Sequence, residues 1–372
     1  MIFGYILQEV PLDGAVTMSL DEVHQLTHSL MLAQGFSPSH AGAIARTVTA
    51  AERDECRHHG LFRVAFYVNG LKSGLATGDA EPTFVELAPS VVRLDAHYGY
   101  SNLALERGEA PLVERAKKNG IAALTINHCH SIVALWPEVE RLAGHGLVGF
   151  SFVSASPYVA PAGGNKPLFG TNPIAFAWPR GDKPPFCFDM ATSASARGEI
   201  QIRLRDGRPL PDGWAIGPDG EPTNDPKQAL LGAQLPFGGV KGSALATMIE
   251  LLVGPLVGDF LSYESGAYDT ANTGTCCGGQ LVLAIDPTKF AIGTTLAAQV
   301  EHAEGLFQRI LDQPGTRLPS DRRYEARKRT PVDGVHVPRS LYDTLQALAT
   351  GDRAASLNEW EGDHVVKEKL SA

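Results

Sequence analysis

The sequence lacks a long uncharged apolar run, and it contains only 5 cysteines in 372 residues. Its most apolar stretch, residues 244–261, includes Glu250, Pro255 and Asp259, which would be costly in hydrocarbon, so no membrane span is predicted. No basic segment precedes an apolar one at the N-terminus, as it would in a signal peptide, and residues 1–18 are predicted to be a short extension. The cysteines are odd in number and form no CxxC pair, which favours a reducing cytoplasm.

Positive charge is also scarce. The sequence has 32 basic and 41 acidic residues, so the formal net charge is -9. Such a balance disfavours general binding to nucleic acid or to anionic lipid. Two nucleotide-binding signatures are absent as well: no GxGxxG follows a first strand, and no GxxxxGK[ST] occurs. Any nucleotide site must therefore differ from a Rossmann or Walker loop.

The chain does contain helical patterns at both ends and a strand-rich centre. Ser19 and Glu22 form a capping-box pair, and apolar residues then recur at helical spacing as far as Gly35. Pro38 opens a second predicted helix that runs to Arg53. Further helices are predicted at 61–73, 103–119, 137–143, 243–253, 297–311 and 340–349, and strands at 83–87, 91–94, 121–126, 147–153, 186–189 and 280–285.

This order of elements predicts an α+β protein with a central mixed sheet. Residues 19–81, joined by 300–372, are expected to form a helical part, and residues 82–299 the α+β part. No internal repeat or low-complexity tract interrupts the pattern.

Four histidines fall in two tight groups, His58 with His59 and His128 with His130, on or beside predicted connections. Such connections commonly carry binding and catalytic groups, although a single histidine there is as often a packing residue. Arg63 follows His59 by four residues, and its guanidinium could grip a carboxylate at two points. Neither HExxH nor an acidic ligand at metal spacing accompanies the histidines, so no metal is expected.

Two further segments are candidate anion sites. Residues 237–243, FGGVKGS, lead into a predicted helix, where backbone N–H groups and Lys241 suit a phosphate. Residues 317–323, RLPSDRR, gather three arginines and are either a solvated basic turn or a phosphate contact. Glycines often only make turns, so neither segment alone identifies a ligand.

Six segments together resemble the malate/L-lactate dehydrogenase family, which lacks a Rossmann fold. They are RHHGLFR at 57–63, ALWPEVE at 134–140, PLFGTNPIAF at 167–176, FDMATSASARGEIQ at 188–201, LPFGGVKGSAL at 235–245 and RLPSDRRYEAR at 317–327. The second and the last are most similar to Δ1-piperideine-2-carboxylate/Δ1-pyrroline-2-carboxylate reductases. The resemblance implies an NAD(P)H-dependent oxidoreductase for a small molecule, usually a homodimer, with a helical part and a separate α+β nucleotide-binding domain.

The same resemblance implies roles for individual residues. His59 matches the family's proton donor and Arg63 its ligand for the substrate carboxylate. His58 and Glu199 stand where relatives usually carry a relay serine and an acidic partner. The other implied contacts are His130 and Thr171 to the substrate, and Ser131, Ile132, Val133, Ala134, Leu135, Asp189, Met190, Ala191, Val240, Lys241, Arg317, Arg322 and Arg323 to the cofactor.

The implied chemistry is reduction of a C=N or C=O bond beside a carboxylate, which needs a hydride, a proton and an anchor. An imidazole with an ordinary pKa of about 6.5 can donate that proton near neutral pH. NADPH is expected over NADH because the three arginines at 317–323 could bind a 2′-phosphate. Alternatives stay open: reduction of 2-oxo acids of the malate, lactate or sulfolactate type, metal-dependent hydrolysis, and non-catalytic ligand binding in which His58 and Arg57 have broken the relay.

Overall fold

The structure is a computed structural model that describes residues 14–350, apart from residue 272 and the side chain of residue 205. Most of the expected N-terminal extension therefore lies outside the described residues. In the described part of this extension, Val16–Met18 forms strand β1.

Elements from both ends of the described chain build one helical layer. Helix α1 (Leu20–Ala33) begins at Ser19 with the predicted capping box. β1 pairs antiparallel with β11 (Val335–Val337). The other members of this layer are α2 (Pro38–Arg53), α3 (Val64–Lys72) and α12 (Arg339–Ala349), and their shared core includes Leu30, Met31, Ile44, Tyr67 and Leu345.

The middle of the chain is a seven-stranded mixed sheet, which confirms the predicted fold class. In chain order its strands are β2 (Thr83–Ala88), β3 (Val91–Asp95), β4 (Ile121–Ser131), β5 (Val148–Val153), β6 (Ile174–Arg180), β7 (Lys183–Met190) and β10 (Cys276–Ile285). Their spatial order is β2-β3-β4-β10-β5-β6-β7. β3 and β4 are parallel, whereas the other neighbouring pairs are antiparallel.

Helices cover both faces of this sheet. On one face, α4 (Ser101–Asn119) and α5 (Trp136–Gly144) bury Leu112 and Leu142 in the largest core. On the other face, α8 (Val240–Val253) packs Ile249 and Val253 against the strands. α10 (Leu296–Leu311) docks on β7 through Phe307, whose ring stacks on Phe186. No helix in the described part of the chain is long and apolar enough to cross a bilayer.

Several elements are absent from the sequence prediction. They are β1, β6 and β11, the short strands β8 (Ala215–Ile216) and β9 (Ala233–Gln234), and the helices α6 (Arg197–Arg205), α7 (Pro226–Leu231), α9 (Ser262–Tyr268) and α11 (Asp321–Asp333). Pro179 sits at an irregularity of the β6–β7 register, and proline is unusual within a strand. α11 starts inside the arginine cluster at 317–323, for which no helix was predicted.

Candidate active site

Residues 57–63, which we call the histidine turn, form two short 3-10 turns that meet at Gly60. Beneath the turn, the buried Glu52 carboxylate accepts a hydrogen bond from the Leu61 backbone N–H at 2.7 Å. A Cβ at position 60 would lie 2.0 Å from Glu52 Oε1, so only glycine lets the carboxylate sit there. Burial raises the pKa of Glu52 to about 7. Glu52 thus fixes the backbone between the two candidate groups of the turn.

Those candidates, His59 and Arg63, line a single cavity of about 640 Å³ together with His58. The two imidazole centroids are 4.6 Å apart. Arg63 Nε donates a hydrogen bond to the His58 carbonyl at 2.7 Å, and its guanidinium lies 4.7 Å from the centroid of the Phe66 ring. The cavity has the size of a small-molecule site, and this wall suits an anionic ligand.

The protonation of the histidines is set first by burial and then by the neighbouring positive charge. Burial and the Arg63 charge lower the pKa of His58 to about 4. The pKa of His59 is lowered well below its usual value by burial and then by His58 and Arg63, while the Ile132 backbone acts the other way. No carboxylate among the described residues contributes, and His59 Nδ1 is buried without a hydrogen-bond partner among them. His59 is therefore neutral at pH 7 until another group helps to charge it.

Glu199, the expected acidic partner, is not brought to His59. Its carboxylate pairs with Arg203 one helical turn along α6, at 3.0 Å, and it does not line the cavity. The start of α6 does reach the histidine turn, through the backbone of Gly198, where a Cβ would lie 3.4 Å from His58 Cβ. Helix α6 therefore lies close to His58, but the Glu199 carboxylate is paired with Arg203 and not with His59.

Most of the residues expected to touch substrate or cofactor do share the cavity. The structure places on its walls Thr171, Ser131, Ile132, Val133, Ala134, Asp189, Met190, Ala191, Arg317, Arg322 and Arg323. Four expected contacts do not line it: His130, Leu135, Val240 and Lys241. His130 is buried and lies 3.0 Å through Nε2 from the Leu75 carbonyl oxygen, whereas Val240 and Lys241 are exposed at the start of α8.

Asp189 lines the cavity and also holds the backbone of a neighbouring wall segment in place. Its Oδ2 accepts hydrogen bonds from the backbone N–H groups of Leu135 at 2.7 Å and Trp136 at 3.1 Å, where α5 begins. Such a carboxylate satisfies free donors at a helix N-terminus. Burial raises the pKa of Asp189. The carboxylate holds the segment from Ser131 to Trp136 along the cavity.

The arginine cluster offers cations of two kinds. Arg323 is half-buried: it donates to Ser320, lies 3.6 Å from Glu140, and covers the Trp136 ring at 4.6 Å. Its Nη1 is buried without a partner among the described residues. Arg317 and Arg322 are exposed at the cavity and form no ion pair with described residues. An unpaired guanidinium nitrogen beside two exposed cations fits the phosphates of a dinucleotide.

Sequence reasoning missed several cavity residues. Arg197 and Tyr158 face the cavity, with the guanidinium 3.8 Å from the ring centroid. Trp136 also lines it, with its ring centroid 6.4 Å from that of His59 and its indole N–H donating to Asp54 at 3.0 Å. Arg197 and Trp136 occur in segments that carry the family resemblance, so a signal was present for both.

The histidine groups separate in space. His128 Nδ1 lies 3.0 Å from Asp95 Oδ2, and its ring stacks on Tyr98, away from the histidine turn. Within the described part of the chain, no three His, Cys, Asp or Glu side chains are grouped so that they could hold a metal ion.

Comparison with known proteins gives matches over most of the chain. Residues 18–346 match the family described as malate/L-lactate dehydrogenase. A Delta(1)-pyrroline-2-carboxylate/Delta(1)-piperideine-2-carboxylate reductase of Pseudomonas aeruginosa is 50% identical over 90% of this chain and 99% of its own. A Delta(1)-pyrroline-2-carboxylate reductase of Burkholderia ambifaria is 50% identical over 90% and 97%. The crystal structure of a delta1-piperideine-2-carboxylate reductase from Pseudomonas syringae superposes with a TM-score of 0.85 at 40% identity, covering 90% and 99%.

Proposed function

This chain belongs to the malate/L-lactate dehydrogenase family of nicotinamide-dependent oxidoreductases, and we propose that it reduces cyclic imino acids. The substrates are Δ1-pyrroline-2-carboxylate and Δ1-piperideine-2-carboxylate, and the products are L-proline and L-pipecolate. The observation that carries this proposal is the cavity wall on which His59 and Arg63 stand together. The relatives named for this activity support the choice of substrate.

Each part of the reaction has a group on this wall or beside it. The guanidinium of Arg63 binds the carboxylate next to the imine carbon, and His59 faces the ring nitrogen. When bound, the reduced nicotinamide supplies a hydride to the imine carbon. The C=N π electrons then form an N–H bond with the proton of the His59 imidazolium, which returns to neutral imidazole. The products are a cyclic secondary amino acid and the oxidised cofactor.

The test is NADPH oxidation by the purified protein with each of two substrate sets. One set contains Δ1-pyrroline-2-carboxylate and Δ1-piperideine-2-carboxylate, and the other contains pyruvate, oxaloacetate and 3-sulfopyruvate. We expect a higher kcat/KM for the cyclic imines. Turnover of the 2-oxo acids alone would refute the proposal and assign the second candidate, a 2-hydroxy acid dehydrogenase, which the family description favours.

We propose NADPH as the preferred cofactor, with Arg317 and Arg322 at its 2′-phosphate. Both are exposed cations at the cavity, whereas Arg323 is engaged with Glu140. Arg322→Ala should lower the NADPH-to-NADH ratio of kcat/KM by roughly tenfold or more, the value of one charge-assisted hydrogen bond. Arg329→Ala is the control, because Arg329 lies on the same helix but pairs with Glu55 at 2.7 Å. An equal loss with both cofactors would show that Arg322 contacts a group that they share.

We also propose a cytoplasmic homodimer. All five cysteines are free, which suits a reducing compartment. The outer face of α8 carries exposed apolar side chains at helical spacing, Val240, Ala244, Met248 and Leu251, and Leu256 continues it. A contiguous apolar face of this kind suits contact with a second copy.

A further inference from the structure

Within the described part of the chain, the Arg63 cation acts on His59 and no carboxylate does. We propose that the substrate itself charges the enzyme's acid: when its carboxylate binds Arg63, His59 takes up a proton from solvent. This inference rests on the proposed function, because it needs a carboxylate ligand in the cavity. It replaces the expected Glu199 partner with the substrate.

The groups around His59 come from five elements. Helix α2 contributes the Glu52 carboxylate beneath the turn, which accepts a hydrogen bond from the Leu61 N–H at 2.7 Å. The histidine turn itself contributes His58, with ring centroids 4.6 Å apart, and Arg63. The segment after β4 contributes the Ile132 backbone, and α5 contributes the Trp136 ring. From α6 the backbone of Gly198 approaches His58 and Arg63, while Glu199 pairs with Arg203. Glu52 is directed to the Leu61 N–H and Glu199 to Arg203, so no carboxylate among the described residues acts on the imidazole.

Binding of a carboxylate to Arg63 should raise the pKa of His59. A positive charge beside an imidazole disfavours its protonated form, and burial adds to that penalty. A carboxylate seated on the Arg63 guanidinium offsets that positive charge and places a negative one inside the same cavity. An opposite charge within a few ångströms favours the protonated form by the same rule. The Ile132 backbone favours the charged ring through a hydrogen bond, but His59 Nδ1 is buried without a partner among the described residues.

Isothermal titration calorimetry with a non-reducible probe tests this coupling. The probe is pyrrole-2-carboxylate, a planar five-membered ring with the carboxylate in place, titrated into the wild-type protein saturated with NADP⁺ at pH 7.5. The same titration is run in several buffers of different ionisation enthalpy, so that the slope of observed heat against that enthalpy counts protons. We expect net uptake of roughly half to one proton per site. Pyrrole-2-carboxamide, which is uncharged, should bind without uptake.

Variants locate the proton. His59→Asn should abolish uptake while still binding the probe, and His58→Ser and Glu199→Gln should leave uptake in place. Loss of uptake in Glu199→Gln, or its persistence in His59→Asn, would overturn the inference. Binding of the carboxylate probe to wild type without proton uptake would also overturn it, and would leave the proposed reduction standing. If the carboxylate does not bind at all, both the inference and the proposed function fail.

Discussion

At the scale of single residues, the protonation state of His59 depends on which charged side chains lie beside it. His59 is buried beside the Arg63 cation, and Arg63 donates a hydrogen bond to the His58 carbonyl at 2.7 Å. Both residues can be named from the RHHGLFR segment, because the resemblance assigns them. The protonation state of His59 could not be predicted, since it depends on where Glu199 points. The i,i+4 pair with Arg203 decides that, and it becomes visible only when α6 is known.

The first prediction concerns the proton donor. His59→Ala should lower kcat by at least about a hundredfold, since a positioned general acid is worth roughly 10² to 10⁴. The dissociation constant for NADPH, measured by fluorescence titration, should barely change. His145→Ala is the matched control, because His145 is exposed and lies 3.3 Å from Glu109 outside the cavity. Near-wild-type turnover of the His59 variant would remove this residue from the mechanism.

The second prediction concerns the carboxylate anchor. Arg63→Lys keeps the charge but loses the two-point grip and the bond to the His58 carbonyl, so KM should rise. The expected loss in kcat/KM is about ten- to a hundredfold. A carboxamide substrate analogue, poor with wild type, should lose little more in the variant. Arg46→Lys, at a surface pair with Glu106, is the control. A lower melting temperature with wild-type kinetics would make Arg63 a structural residue.

At the scale of elements, short helices and 3-10 turns position the site residues. The long helices and most sheet strands follow from periodicity and caps, as at Ser19 and Pro38. The elements that place site residues were harder to predict. α6 begins after Ala196 without a side-chain cap, and the first 3-10 turn has no side-chain cap either. Their conformation comes from tertiary contacts, such as that of Glu52 with Leu61, which no local pattern encodes.

The third prediction tests that contact. Gly60→Ala puts a Cβ 2.0 Å from Glu52 Oε1, so the histidine turn must shift. We expect kcat/KM to fall by about tenfold or more, because small displacements of catalytic groups cost rate steeply. Gly144→Ala, where nothing lies within 4 Å of the new Cβ, should behave as wild type. Adding Glu52→Ala removes the clash, so the double variant should lose less than the two single losses combined. Full activity of Gly60→Ala would show that the turn tolerates the shift.

The fourth prediction concerns pH and α5. Burial raises the pKa of Glu138 to about 8, and its Oε1 accepts hydrogen bonds from Gln280 at 3.0 Å and Ser151 at 3.2 Å. The folded state therefore binds a proton that the unfolded chain releases near pH 4.5. This contribution to stability is complete below that pH and is lost as pH rises towards 8, by up to about 1.4 kcal/mol per unit.

Glu138→Gln keeps an acceptor and removes the ionisation. Its free energy of unfolding, measured by urea denaturation from pH 5.5 to 9, should decline less steeply with pH than that of wild type. Parallel pH profiles for the two proteins would contradict a protonated Glu138 in the folded state.

At the scale of the whole molecule, ion pairs tie the helical layer to the sheet. The buried Asp54, at the end of α2, receives both Nε and Nη2 of Arg327 from α11, at 2.8 and 2.6 Å. Arg327 also reaches Glu140 of α5 at 2.6 Å. Paired charges lower the pKa of Asp54 although burial opposes them. Removing one partner would leave a buried charge uncompensated, which is costly.

The fifth prediction belongs to the assembly. Leu251→Glu places a charge in the exposed apolar face of α8, where Leu251 is 56% exposed. If that face joins two copies, light scattering after gel filtration should show a dimer for wild type and a monomer for the variant. Leu306→Glu, at an equally exposed position on α10, is the control and should stay dimeric. A dimeric Leu251→Glu protein would place the interface elsewhere.

The pairing of β1 with β11, and the packing of α12 on α1, also sets the order of events during synthesis. The core beneath the histidine turn includes Val335, Val337 and Leu345, which leave the ribosome long after residue 59. At roughly 5–20 residues per second, that delay is on the order of tens of seconds. Throughout it the nascent chain exposes the apolar faces of α1 and α2, and the cell must keep them from aggregating. The helical layer, whose first helices are translated early, is thus completed last.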